Sequence, residues 1–285
     1  MTDHQVLTWQ VGDVRVHRFV ELTTASLGKH LLPQATPERL AQHDWLQPFL
    51  DEQSRLVLSM HSFVVETPDV VVLVDTCIGN DKQRSYPKWN HMRSDFLTRL
   101  AAGGFPPDAI DVVLCTHMHV DHVGWSTQLV NGHWQPTFKR ARYLYAQTEW
   151  DHWRVESQEY GPVIEDSVQP IVDSGLAEFV EVDHRVCNEI QLMSTPGHTP
   201  GHVSVRIDSR GECAIVTGDM FHHPCQIAHK DWSSSADVDP ALAADTRTEF
   251  LLRCANQPVL ILGTHFATPT AGKIVLESGS YRLDY

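Results

Sequence analysis

The stretch Thr116-His117-Met118-His119-Val120-Asp121-His122 decides what this chain of 285 residues can do. It directly follows an apolar run at residues 110–115 that predicts a buried strand. In an extended segment, His117 and His119 project to the same side because they are two residues apart. Asp121 and His122 come next, where we expect the chain to turn into a helix. Imidazole suits zinc, iron and nickel, and added carboxylate extends the range to manganese, so the stretch indicates a metal site.

Three further strand ends carry the same kinds of side chain. Residues 195–202 (TPGHTPGH) form a turn-rich segment that contains His198 and His202. Residues 217–220 (TGDM) place Asp219 just after the strand predicted at residues 213–216, and residues 263–265 (GTH) place His265 after the strand predicted at 259–262. Loops at strand ends can converge on a rigid scaffold, so we expect these groups to meet.

Strands and helices alternate along the rest of the chain, which indicates α/β layers. We predict a helix that begins near Pro37, another from Phe96, and a third over residues 240–255 with Asp239 as its N-cap. The predicted strands not yet mentioned cover residues 14–22, 56–66, 70–74, 142–146, 177–182, 190–194 and 202–207. Residues 23–54 have only weak helical patterning, which leaves a lid and a dimer arm as alternatives.

The motifs THMHVDH, TPGHTPGH, TGDM and GTH, in this order, resemble those of the metallo-β-lactamase superfamily of metal-dependent hydrolases. The resemblance implies an αββα sandwich, with two mixed β-sheets flanked by helices. No linker divides the sequence, so we expect a single domain over residues 1–285. It implies one metal held by His117, His119 and His198 and a second held by Asp121, His122 and His265. Asp219 would bridge the two metals, and His202 would not be a ligand. We expect two divalent metal ions, with zinc as the favoured metal and iron or manganese as alternatives.

Departures from other branches of the superfamily narrow the function. Asp219 stands where some β-lactamases have a cysteine ligand, and His119 stands where flavodiiron proteins have a glutamate. His222 stands where acyl-homoserine lactonases have a tyrosine, three residues after the bridging aspartate. These differences disfavour penicillin hydrolysis and oxygen reduction, and they weaken the match to that lactonase type without excluding it.

The predicted function is therefore hydrolysis of a small-molecule ester, a lactone above all, by attack of a metal-bridging hydroxide. Asp121 or Asp219 would pass a proton to the leaving group, and His222 would donate a hydrogen bond to the developing oxyanion. Hydrolysis of aryl esters, organophosphates or thioesters is the alternative within the fold, and a non-hydrolytic metal-binding or redox protein is the alternative outside it. For His202, His222 and His223 a purely structural role stays open, while Asp75 could orient a ligand histidine.

Composition limits the partners. The formal net charge of −14 disfavours binding to nucleic acid and to anionic membranes. The apolar run at residues 70–74 is far too short to span a bilayer, and no signal peptide is visible at the N-terminus. Six cysteines without a CxxC pair fit a reducing cytoplasm. We expect a small-molecule substrate, and a homodimer is left open. Aromatic and sulfur side chains near the motifs favour ordinary core packing, with the lining of an apolar substrate pocket as the alternative; they are Tyr86, Trp89, Met92, Trp125, Trp150, Trp153 and Phe221.

Overall fold

The computed structural model describes residues 4–156 and 158–285. The strands of this part of the chain are β1 (Leu7–Val11), β2 (Val14–Thr24), β3 (Leu58–Glu66), β4 (Val71–Val74), β5 (Val112–Leu114), β6 (Thr127–Val130), β7 (His133–Pro136), β8 (Arg142–Ala146), β9 (Ala177–Val180), β10 (Ile190–Ser194), β11 (Val203–Ser209), β12 (Glu212–Val216), β13 (Val259–Leu262), β14 (Ala271–Glu277) and β15 (Ser280–Asp284). Its α-helices are α1 (Gly28–Leu31), α2 (Pro37–Leu40), α3 (Phe96–Ala102), α4 (Gln147–Trp153), α5 (Gln169–Asp173), α6 (Cys225–Ala228) and α7 (Pro240–Cys254).

Two mixed sheets form the centre of the molecule. The first has the strand order β1-β2-β3-β4-β5-β8-β9, and the second runs from β10 to β15 in sequence order. Strands β4, β5, β8 and β9 are parallel to one another, as are β12 and β13. Because parallel neighbours end at the same edge of a sheet, the segments that follow β4 and β5 emerge together, and so do those that follow β12 and β13.

Alternating side chains on each strand build the layers. On β4, Val72 and Val74 face the core between the two sheets, whereas Leu73 faces the helices on the outer side of the first sheet. On β12, Val216 faces the inter-sheet core, whereas Ile215 packs toward α7 with Phe250, Leu251 and Cys254. Helix, sheet, sheet and helix therefore succeed one another, and the αββα sandwich with two mixed sheets is confirmed.

The predicted helices and strands occur with small shifts, and Asp239 caps α7 by accepting a hydrogen bond from the Leu242 amide. The prediction of a helix after Asp121 is wrong. Only a 3₁₀ turn forms, at Gly124–Ser126, because the backbone amides of Gly124 and Trp125 donate to the carbonyl oxygens of Cys77 and Thr76. These hydrogen bonds connect the segment after β5 to the segment after β4, and they replace the bonds that would continue a helix.

Residues 23–54 fold onto their own chain as α1, α2 and a 3₁₀ helix at Asp44–Phe49. Leu32, Leu40 and Leu46 are buried in a small apolar cluster with Cys225 and Trp232. The lid and the dimer arm stay predictions, as does the single domain over residues 1–285. No helix of the described ranges is long and apolar enough to cross a membrane.

Candidate metal centre

Side chains from strand ends of both sheets meet at one edge of the sandwich. Their ligand atoms form four overlapping groups, each with atoms within 4.8 Å of one another: His117, His119 and His198; His117, His122 and Asp219; Asp121, His122 and His265; and His198, Asp219 and His222. All seven residues that the resemblance implies as ligands are therefore brought together. The structure adds an eighth, His222, to the same cluster.

Asp219 lies at the centre of this cluster. Its Oδ2 atom is 3.8 Å from Nε2 of His117 and 3.6 Å from Nε2 of His198, which belong to one predicted group. The same atom is 3.1 Å from Nε2 of His265, and Oδ1 is 3.3 Å from Nε2 of His122, which belong to the other group. One carboxylate thus reaches both predicted groups.

Hydrogen bonds at the opposite ring nitrogen orient several of these histidines. Nδ1 of His122 lies 2.9 Å from Oδ2 of Asp75, and Nδ1 of His198 lies 2.9 Å from Oδ1 of Asp237. Nδ1 of His265 donates to the backbone oxygen of Ser59 over 3.1 Å. An Nδ1–H that is held in this way leaves the lone pair of Nε2 directed into the cluster, which is the arrangement a metal-binding histidine needs.

Backbone geometry supports two of these positions. Asp75 has a φ of 58°, a left-handed conformation that aspartate tolerates, and its carboxylate also accepts from the Thr116 amide over 2.8 Å. Gly218 has a φ of 57°, and a Cβ atom there would lie 2.5 Å from Nε2 of His202. Glycine is therefore needed before Asp219, because His202 packs directly against that turn.

Several buried polar atoms in the cluster have no hydrogen-bond partner within the described ranges. They are Nε2 of His117, Nε2 of His122, Oδ1 of Asp219 and both ring nitrogens of His222. Unpaired buried polar groups are costly, and imidazole lone pairs with carboxylate oxygens are ordinary ligands of divalent metals. The donor set therefore fits metal ions.

The charges of the cluster also favour a cation. Burial lowers the pKa of His117 and His119 well below the usual value and lowers that of His198 to about 3, so these rings are neutral. Burial opposes a charge on His122 too, but the carboxylates of Asp219, Asp75 and Asp121 raise its pKa well above the usual value. Positive charge is therefore stabilised on the Asp121 side, where the resemblance implies the second metal.

His222 and His223 point in opposite directions. Nε2 of His222 lies 3.4 Å from Oδ2 of Asp219, and the ring borders the cleft. His223 instead donates from Nε2 to the backbone oxygen of Phe49, and its Nδ1 accepts from the Cys225 amide. His223 therefore has a structural role, and of the two only His222 can act in the site.

A cleft of about 290 Å³ opens beside the cluster. Asp121, Asp219, His222 and His265 of the cluster line this cleft. Apolar and aromatic side chains form most of the remaining wall, among them Leu27, Leu31, Leu58, Met60, Trp89, Val120, Trp153 and Tyr160, and the polar residues His30, Gln158, Glu159 and Ser235 also line it. Of the aromatic and sulfur side chains for which pocket lining was the alternative to core packing, Trp89 and Trp153 line the cleft. Tyr86, Met92, Trp125, Trp150 and Phe221 are not among the lining residues; Trp125, for example, stacks on Phe96 in the core.

Two buried acids that support the site have no local sequence signal. Asp237 contacts His198 from 39 residues away. Glu149 accepts from the amides of Met118 and Gly201, and so it connects the loop of His117 and His119 to the loop of His198.

Comparison with known proteins agrees with this geometry. The family model described as the metallo-β-lactamase superfamily matches residues 57–265, most of the chain. The chain belongs to the metallo-β-lactamase superfamily, and the prediction of a metal-dependent hydrolase is confirmed.

The sequences of individual relatives are only distantly similar to that of this chain. An N-acyl homoserine lactonase from Bacillus sp. is 26% identical over 239 residues, which cover 79% of this chain and 88% of that protein. The structure of AidC, a dizinc quorum-quenching lactonase with a bound product, superposes with a TM-score of 0.79 at 19% identity and covers 98% of this chain and 96% of AidC. The hydrolase AbOPH superposes with a TM-score of 0.81 at 22% identity over 100% of this chain and 99% of its own. Both structures share the fold of this chain.

Proposed function

We propose that this protein hydrolyses lactones at a centre of two divalent metal ions, with zinc as the preferred metal. One metal would be bound by His117, His119 and His198. The other would be bound by Asp121, His122 and His265. Asp219 would be a ligand of both. The proposal rests on one observation: the Asp219 carboxylate lies 3.1 to 3.8 Å from histidines of both groups. When bound, two such metals lower the pKa of a water molecule toward neutrality and polarise a carbonyl group.

Protein groups around the cluster would position the ligands. Asp75, Asp237 and the Ser59 carbonyl each engage the outer nitrogen of one histidine, so the rings cannot rotate away from the cluster. Precise placement of this kind lowers the reorganisation needed during the reaction.

Asp121 is the better candidate to carry the proton to the leaving oxygen. Both side chains border the cleft, but that of Asp121 is 12% exposed, whereas that of Asp219 is 5% exposed and is surrounded by histidines. A general acid must reach the substrate atom that it protonates, and Asp121 meets that requirement more directly.

The cleft supports a lactone with an apolar substituent. Its wall is mainly aliphatic and aromatic, and its volume suits a small molecule. The Bacillus relative, named an N-acyl homoserine lactonase, also supports lactones over other esters. A cytoplasmic location, the absence of nucleic-acid partners and a homodimer stay predictions.

A substrate panel tests the proposal. Protein loaded with two zinc ions per chain would be assayed against acyl lactones, thioesters, aryl esters and phosphotriesters. We expect the highest kcat/KM with a lactone and loss of that activity in metal-free protein. A higher kcat/KM for an aryl ester or a phosphotriester would replace the lactone by that alternative, and activity that survives complete metal removal would refute the metal-dependent reaction.

Metal analysis tests the two-metal assignment. Asp121→Ala and His265→Ala should each reduce bound metal from two ions toward one, whereas Asp219→Ala should reduce the affinity for both, since the Asp219 carboxylate reaches both groups. His133→Ala, an exposed position on β7, is the matched control. One metal per chain in the unmodified protein, with no effect of the two single-site variants, would contradict the assignment.

A further inference from the structure

His222 is enclosed by the cluster. It follows the 3₁₀ turn at Gly218–Met220, and its backbone amide donates to Oε1 of Gln226 over 2.7 Å, which fixes the chain at this point. Its side chain is only 2% exposed, and within the described ranges both ring nitrogens are buried without a hydrogen-bond partner. A ring placed in this way, beside His198, His265 and Asp219, requires a partner that no group of residues 4–156 and 158–285 supplies.

The distances between His222 and its neighbours match those between two ligands of one metal ion. Nε2 of His222 lies 3.4 Å from Oδ2 of Asp219, within the range spanned by His265 at 3.1 Å and His198 at 3.6 Å. Two ligand atoms bound to one zinc ion at the tetrahedral angle lie about 3.4 Å apart. His222 therefore stands in the same relation to Asp219 as the histidines that the family pattern already assigns.

Ring orientations agree with this reading. The His222 ring makes an edge contact with His198 at 4.8 Å between centroids, and it lies parallel to His265, with an interplanar angle of 8° at 6.0 Å. The ligand atoms of His198, Asp219 and His222 all lie within 4.8 Å of one another. His223 provides the contrast, because both of its ring nitrogens are engaged by backbone groups away from the cluster.

We propose that His222 is itself a metal ligand, and that with His198 and Asp219 it binds the metal assigned to His117 and His119. This inference rests on the metal centre proposed above. It replaces the predicted hydrogen bond from His222 to the substrate, because a ring nitrogen whose lone pair is on a metal cannot donate from that atom. The metal on this side would then have four imidazole ligands, whereas the metal on the Asp121 side would have two.

The decisive experiment counts the imidazoles bound to metal in the unmodified protein. Chains with ¹⁵N-labelled histidine are loaded with ¹¹³Cd²⁺, and the ring nitrogens that show coupling to cadmium are assigned by residue. We expect coupling at His222 in addition to His117, His119, His122, His198 and His265. Absence of coupling at His222, with the other five coupled, would overturn the proposal. The count needs no substrate, so it decides the role of His222 even if no lactone is hydrolysed.

Variants give a second, independent readout. His222→Leu and His222→Gln should weaken the binding of one of the two zinc ions by at least about tenfold in competition with a chelator. The spectrum of the Co²⁺-loaded protein should change because one metal loses a ligand. His223→Gln, with thermal melting followed to confirm folding, should change neither readout. Wild-type zinc affinity and an unchanged cobalt spectrum in His222→Gln, with a lower kcat, would overturn the proposal in favour of a substrate contact.

Discussion

Nε2 of His202 accepts a hydrogen bond of 2.8 Å from the backbone amide of Asp219. The other ring nitrogen, Nδ1, donates to the backbone oxygen of Thr195 over 2.9 Å. Burial lowers the pKa of His202 to about 4, so the ring is neutral and its Nε2 lone pair is free to accept. The second histidine of the TPGHTPGH motif thus positions the backbone of the central carboxylate.

Replacing His202 should therefore weaken metal binding without removing a ligand. In His202→Leu the Asp219 amide loses its acceptor in a buried place, and Asp219 becomes less well fixed. We expect the zinc affinity to fall by roughly 10- to 100-fold, the effect typical of groups that orient ligands. Competition with a chelator measures it, and His133→Leu on the surface serves as control. Unaltered affinity in His202→Leu would show that the turn holds Asp219 unaided.

Asp237 should act in the same way on His198, but through charge as well as orientation. Its Oδ1 lies 2.9 Å from Nδ1 of His198, and Oδ2 accepts from the Ser234 amide over 2.9 Å. Asp237→Ala should lower zinc affinity by roughly 10- to 100-fold, and Asp237→Asn by less because the amide oxygen can still accept. Calorimetric zinc titrations compare the two. Equal losses would assign the effect to the charge alone, and no loss in either would contradict the role.

Apolar side chains of α1 should contribute to substrate binding. Leu27 and Leu31 border the cleft, and the backbone oxygen of Leu31 accepts from the amide of Ser235, which also lines it. Leu31→Ala removes apolar contact area, so KM for a lactone with a long acyl group should rise roughly tenfold with little change in kcat. Leu242→Ala, which is 40% exposed on α7, is the control. A change in kcat alone would argue against a binding role.

The buried ammonium of Lys82 should make the stability of the protein depend on pH. This ammonium is buried against Thr127, Asp166 and the ring of Trp134, and burial lowers its pKa from 10.5 to about 7. Between these two values the unfolded chain binds the proton more tightly, so the free energy of unfolding rises with pH, by up to about 1.4 kcal/mol per pH unit.

Urea unfolding at pH 7 and pH 10 measures this slope. The wild-type free energy of unfolding, taken relative to Lys82→Met, should increase over this range, because only the wild type carries the group. Lys88→Met, at an exposed position, should show no such difference from wild type. A slope of opposite sign would mean that the ion pair with Asp166 keeps Lys82 charged.

The sequence predicts the ligand-bearing strand ends well because the signal there is local. Runs such as residues 70–74 and 110–115 are buried on both faces, and the histidines and aspartates follow them within a few positions. Asp237 and Glu149 could not be found in this way, since each acts on loops that are 31 or more residues distant.

Two other differences have distinct causes. The helix expected after Asp121 is replaced by hydrogen bonds to residues near Cys77, and sequence periodicity does not report such tertiary pairing. The β14–β15 hairpin is not among the strands predicted from the sequence, although Ser278-Gly279 is a recognisable turn pair. Both residues have positive φ values, of 52° and 82°.

The division of the cluster between the two sheets has a consequence for the whole chain. His117 follows a strand of one sheet and His265 follows a strand of the other, and Asp219 lies between them. The ion assigned to Asp121, His122 and His265 would act as a crosslink between the two sheets that closes a loop of well over a hundred residues, and such closure restricts the unfolded chain. A chelator should therefore act on this protein much as a reducing agent acts on a disulfide-bonded one, by releasing a tie between distant parts of the chain.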